Sequence, residues 1–116
     1  PLTAAAMGDH ISVVQLLLDR GAVVDAQDPG GSTPLIHLAP QENVGTFRLL
    51  IDRGAQIDHQ NEKGEAPLHL AALHNRVDKV RLLLSRGAQV DARDTLMETP
   101  LHKAASEGHI LVVQLL

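Results

Sequence analysis

The chain has no cysteine, no tryptophan and no tyrosine, and Phe47 is its one aromatic ring. Without cysteine there is no disulfide and no thiolate-ligated metal. Without bulky rings, the interior of these 116 residues has to be filled by Leu, Val, Ile and Ala. That suits many thin interfaces between helices better than one thick core. Basic residues are scarce and scattered: ten Lys and Arg stand against fourteen Asp and Glu, for a net charge of −4. Nucleic-acid binding needs a clustered basic face, so that function class is set aside. No run approaches the roughly 18 apolar residues of a membrane span, and no leader-like segment is visible. The expected setting is intracellular, cytoplasmic or nuclear, with no membrane contact. Phosphate-cradling and metalloprotease signatures are also missing, since no G-x-x-x-x-G-K-[ST], G-x-G-x-x-G or H-E-x-x-H occurs. Ser12, Ser32, Ser85 and Ser106 stand on no nucleophile-elbow pattern.

What the chain has is a period. Pro1, Pro34, Pro67 and Pro100 recur every 33 residues, each followed by leucine. Arg20-Gly21-Ala22, Arg53-Gly54-Ala55 and Arg86-Gly87-Ala88 keep the same interval with no insertion. Self-similarity at such a period signals a stacked repeat array. In the clearest copy, Gly64 suits a tight turn and Pro67 the first turn of a helix. Leu68, Leu70, Ala71 and Ala72 form a short helix whose small residues admit a close neighbour. Asn75-Arg76 breaks the pattern. Val77 to Ser85 forms a second helix with Val80, Leu83 and Leu84 at i, i+3, i+4, widened by Val77 and Leu82. Arg86 suits the helix C-terminus, and Gly87 is the expected left-handed cap.

The period, and T-P-L-H at Thr99 to His102 with its variant at Ala66 to His69, make the whole chain resemble the ankyrin-repeat family. The resemblance implies an all-α solenoid of helix-turn-helix units joined by β-hairpin-like loops. Its repeats span residues 1–27 (partial), 28–60, 61–93 and 94–116 (partial). The first lacks its leading loop, the last stops before any Arg-Gly-Ala, and Val112, Val113, Leu115 and Leu116 leave an apolar end. The expected reading is a monomer or an excerpt of a longer array.

The second repeat departs most from the pattern. Pro40 replaces Leu73 and ends the first helix early or opens the second. Gly45 and Thr46 weaken its second helix. Met97 replaces the turn glycine. It either bears the cost of a positive φ or takes another turn type and packs on its neighbour.

Histidines and carboxylates read as frame rather than chemistry. His69 and His102 lie one repeat apart, on helices expected about 8–10 Å apart, whereas a zinc ligand sits at about 2.0–2.2 Å. His69 and His74 are not on one helical face. In the resembled family the T-P-L-H histidine ties adjacent loops together. Asp25, Asp58 and Asp91 share one repeat position, and Asp28, Asn61 and Asp94 another, which points to turn bracing. The family's loops also undergo asparagine hydroxylation, but the matching positions here are those first three aspartates. No enzyme activity, cofactor or metal is expected.

The resemblance implies binding of a protein partner across a concave surface of loop tips and first helices. The matching tip residues are Gln27, Ser32, Gln60, Glu62, Lys63, Glu65, Arg93, Thr95, Leu96 and Glu98, with Pro29 and Gly30. The matching helix residues are Met7, Gln41, Leu73, His74, Ser106 and Glu107, with Pro40. Met7, Leu73 and Leu96 are expected to line up on this side, and Leu73, His74 and Leu96 to be central. The competing reading is a structural spacer with no ligand of its own.

Overall fold

The structure, a computed structural model, describes residues 2–116. Pro1, expected to open the first helix, lies outside the described residues. Eight helices among those residues form four pairs. They are α1 (Leu2–Met7) with α2 (Ile11–Asp19), α3 (Pro34–Leu38) with α4 (Gly45–Asp52), α5 (Pro67–Leu73) with α6 (Val77–Ser85), and α7 (Pro100–Ser106) with α8 (Ile110–Leu115). The first helices pack in a row, α1 on α3, α3 on α5 and α5 on α7, and the second helices form a row behind them. The result is an elongated all-α solenoid of 40 × 25 × 22 Å. No strand forms among the described residues, although the connecting loops close as hairpin turns.

Local chemistry explains the helix ends. Pro34, Pro67 and Pro100 each open a first helix after an extended residue, where a missing N–H costs nothing. The hydroxyls of Thr33 and Thr99 accept the N–H groups of Ile36 and His102 at 3.4 Å. Each of the first three second helices ends at a glycine of positive φ: Gly21 at 92°, Gly54 at 93° and Gly87 at 84°. Around Gly87, its own N–H reaches the Leu84 carbonyl at 3.1 Å and the Ala88 N–H reaches that of Leu83 at 3.0 Å. These two bonds close the last turn, and the other two repeats share them.

Packing follows from residue size. Ala6, Ala39 and Ala72 are fully buried where first helices meet, so the backbones approach closely. Val14, Phe47, Leu50, Val80, Leu83 and Val112 fill the space between the rows and are likewise fully buried. In the first repeat the stripe is thinner than its apolar sequence suggests, because Val13 and Leu16 are exposed.

The second repeat deviates at its proline. Helix α3 stops at Leu38, two residues before Pro40, and has five residues against seven in α5 and α7. Between the two helices of the other repeats stands a residue of positive φ, namely Asp9 (56°), Asn75 (59°) or Gly108 (72°). Glu42, at the matching place, does not adopt it. Helix α5 accordingly packs far more fully on α7 than on α3.

Met97 keeps the glycine conformation at φ 62° and is 61% exposed, so it neither changes turn type nor packs on a neighbour. The matching Gly64 is under a second constraint. A Cβ there would lie 2.8 Å from the Asp94 Cα of the next loop.

Leu83→Ala is expected to cost about 2–5 kcal/mol in urea denaturation; an unchanged midpoint would contradict its central burial. Gly54→Ala carries only backbone strain, on the order of 1–2 kcal/mol, because nothing lies within 4 Å of the point its methyl group would occupy. Gly64→Ala is expected to cost more by the same assay. Equal costs would mean that the loop approach contributes nothing.

Candidate functional site

The loops are braced by one carboxylate or amide each. Asp28 Oδ1 accepts the N–H groups of Gly30 and Ser32, both at 2.9 Å. Asn61 Oδ1 accepts those of Lys63 and Glu65, both at 3.0 Å, and Asp94 Oδ1 those of Leu96 and Glu98, both at 2.9 Å. The turn-bracing role expected for this position is what the structure has. Asp25 and Asp58 act between repeats, accepting the backbone N–H groups of Gln56 (3.1 Å) and Gln89 (2.9 Å). The loop tips are also joined directly, by Glu62 N–H to the Gly30 carbonyl and Thr95 N–H to that of Lys63, both at 3.0 Å.

His69 is buried and works as expected of the T-P-L-H histidine. Its Nδ1 accepts the Ala66 N–H at 3.1 Å, so Nε2 carries the proton and donates to the Glu98 carbonyl at 3.1 Å. The second repeat has Ile36 there. Its loop is tied instead by His59, whose Nε2 donates to the Gly31 carbonyl at 2.9 Å, and by Asn61 Nδ2 to Ser32 Oγ at 3.1 Å.

The first helices supply matching partners to the turns. His37 Nε2 donates to Asp28 Oδ2 at 2.7 Å, and Lys103 Nζ lies 2.8 Å from Asp94 Oδ2. Between them, the matching positions hold the uncharged Asn61 and Leu70. Hydrogen bonds from the Ser32 N–H above all, and from His37, hold the Asp28 carboxyl below the usual range. Burial pushes Asp94 up, but the Lys103 ammonium and the Glu98 and Leu96 N–H groups outweigh it and hold it low. The bond that Lys103 donates to Asp94, joined by that to Glu98, raises Lys103 against burial.

On this frame sits a groove of about 520 Å³ across the first three repeats. Eight of the nineteen expected contact residues converge on it: Met7, Gly30, Ser32, Pro40, Gln41, Glu62, Lys63 and Glu65. Met7 Sδ accepts the Gln41 amide at 3.1 Å on one wall. Glu65 Oε1 accepts the Asn61 amide at 3.3 Å on the other. Ile36, His37, Asn61 and Leu70 complete the lining.

The other expected contacts lie elsewhere. Leu73 is half-buried outside the groove, with its carbonyl accepting His109 Nε2 at 2.9 Å, and the adjacent His74 is exposed. Leu96 is 72% exposed on the last loop tip, near the exposed Arg93 and Thr95. Of the three apolar residues expected to line up, only Met7 reaches the groove. Gln60 is engaged in the frame, its amide donating to the carbonyls of Gly64 (2.8 Å) and Arg93 (3.0 Å). Glu98 holds Lys103 at 3.1 Å and Ser106 donates to the Lys103 carbonyl at 3.0 Å, while Gln27 and Glu107 are exposed.

Among the described residues no group of three or more His, Asp or Glu is gathered to hold a metal ion, and no helix is long and apolar enough to cross a membrane. A family model described as ankyrin repeats (3 copies) matches residues 1–61 and 40–116. No curated protein matches the chain.

The pairing of Asp94 with Lys103 contributes stability between two pH limits. It is lost as the pH falls through the depressed carboxyl value, and again as the pH rises through the elevated lysine value. Asp94→Asn keeps the turn but leaves Lys103 without its main partner, and is expected to cost about 3 kcal/mol at pH 7. Adding Lys103→Leu copies the Asn61–Leu70 pair and is expected to recover most of that loss and to flatten the acid limb. Urea denaturation at pH 7 and pH 3 measures both, and a double variant no more stable than the single would refute the pairing.

Proposed function

This chain belongs to the ankyrin-repeat family, whose members are generally protein–protein interaction modules and generally non-enzymatic, and on that premise we propose that it binds a partner protein through its concave surface. The observation that carries the reading is the groove across the first three repeats. Residues nominated by their variation between repeats meet there, on a frame whose own polar groups are occupied. Its apolar lining, Met7, Pro40 and Leu70, suits an apolar side chain, since methionine and leucine adapt to partner surfaces. Glu62 and Glu65 beside it suit a cationic one. The matching occupant is an exposed segment of another protein with an apolar residue next to a Lys or Arg.

The test is affinity capture from cell lysate with three baits, all checked for folding by circular dichroism. These are the chain itself, a Met7→Glu, Glu62→Lys double variant, and Arg81→Glu on the second-helix side as control. A protein retained by the first and third and lost by the second is the expected result. One held equally by all three would move binding off the groove. None in any lane would favour the spacer.

A further inference from the structure

First helices pack least fully at the junction between the second and third repeats, α3 on α5. There Lys79, on α6, occupies the place held by Val13, Thr46 and Val112 in the other repeats. It is fully buried at 1% exposure. Its ammonium donates to the carbonyls of Leu38 (2.5 Å) and Gln41 (2.6 Å) and sits 4.9 Å from the centre of the Phe47 ring. Leu38 ends the helix that Pro40 cuts short. Arg76 joins it, donating from Nε to the Pro40 carbonyl at 2.6 Å. Two cations of the third repeat therefore bind the carbonyls of Pro40 and Gln41 just past the shortened helix, and Lys79 adds a second donor to the Leu38 carbonyl, which also accepts the Gln41 N–H at 3.0 Å. Gln41 is also a groove residue, and its side-chain amide reaches Met7 Sδ at 3.1 Å.

We infer that Lys79 is a positioning residue for the concave groove: from the second-helix side it holds the Leu38–Gln41 backbone, and through Gln41 it sets the wall that Met7 completes. Its bearing on partner choice rests on the groove being the binding site; the link from Lys79 to Met7 does not. The charges around Lys79 are Arg76 at the start of its own helix, which repels it, and Asp9 of the first repeat, which attracts it. Asp9 also accepts the Thr46 hydroxyl at 2.6 Å, and Glu42 stands 3.8 Å from Arg76. Helix α4 brings the uncharged Thr46 and Phe47. Burial first, then Arg76, lowers Lys79 from the ordinary lysine value to about 8. Its titration is thus separated from that of exposed lysines.

The chain has two methionines, which makes the link directly readable. Met7 lines the groove, and Met97 lies on the last loop as an internal control. In protein carrying 13C-methyl methionine, the Met7 methyl resonance is expected to titrate with a midpoint of about 8 while that of Met97 stays still. Lys79→Leu is expected to abolish that titration and displace the Met7 signal. The unfolded chain holds the Lys79 proton up to the ordinary lysine range, so stability is expected to rise with pH above about 8, and Lys79→Leu should remove that rise. A Met7 signal with no titration between pH 7 and 10, or one whose titration survives Lys79→Leu, would overturn the inference. Should the variant not fold, the wild-type titration decides alone. A failed capture experiment with a titrating Met7 would remove the partner reading and leave the link intact.

Discussion

A repeat in this chain cannot satisfy its own polar groups, and that constraint orders the rest of the structure. Loop N–H groups, helix-end carbonyls and turn carbonyls of one repeat find partners in the next. Asp25 and Asp58 accept from the following repeat, and His69 donates to it. Arg76 and His109 donate back to the carbonyls of Pro40 and Leu73. Asn43 stands at the same place as Arg76 and His109 but is shorter, and its Oδ1 is buried without a partner among the described residues. A buried polar group without a partner costs free energy, so stacking is enforced by hydrogen bonding as well as by apolar burial. The ion pairs Arg53–Asp19 and Arg86–Asp52 follow the same spacing along the exposed side, where such pairs contribute little.

The fold was legible because it is periodic. Prolines at helix starts and glycines at helix ends carry their own physical reasons, and repetition shows that each reason applies every time. The braced turns at Asp28, Asn61 and Asp94 were legible for the same cause. The groove was legible only in part. Met7, Gln41 and the tip residues Ser32, Glu62, Lys63 and Glu65 could be named from their places in the repeat. Leu73, His74 and Leu96 could be named too, but they do not meet the others, since a row of equivalent positions spreads along the array whereas the groove takes in the first three repeats alone. Pro40 signalled a short helix without showing what would cover its end.

Lys79 escaped the sequence reading because a lone lysine within a helical pattern is ordinarily a solvated one. The signal was present in its register, since the same place holds valine in the first and fourth repeats. A charge standing where the pattern calls for an apolar residue, one repeat after a misplaced proline, links two irregularities that look independent along the chain. The junction they share borders the groove on one side and a crevice lined by Glu42, Val44 and Asp78 on the other.

The turn residues and their first-helix partners come as matched words: Asp28 with His37, Asn61 with Leu70, Asp94 with Lys103. The two letters of each word lie within a single stretch that a crossover between repeats could split. A chimaera joined inside residues 61–70 would set a carboxylate against leucine or a cation against an amide. One joined in the second helix would carry the word whole. Recombination among such arrays is therefore tolerated at some breakpoints and penalised at others, even though the backbone repeats without interruption.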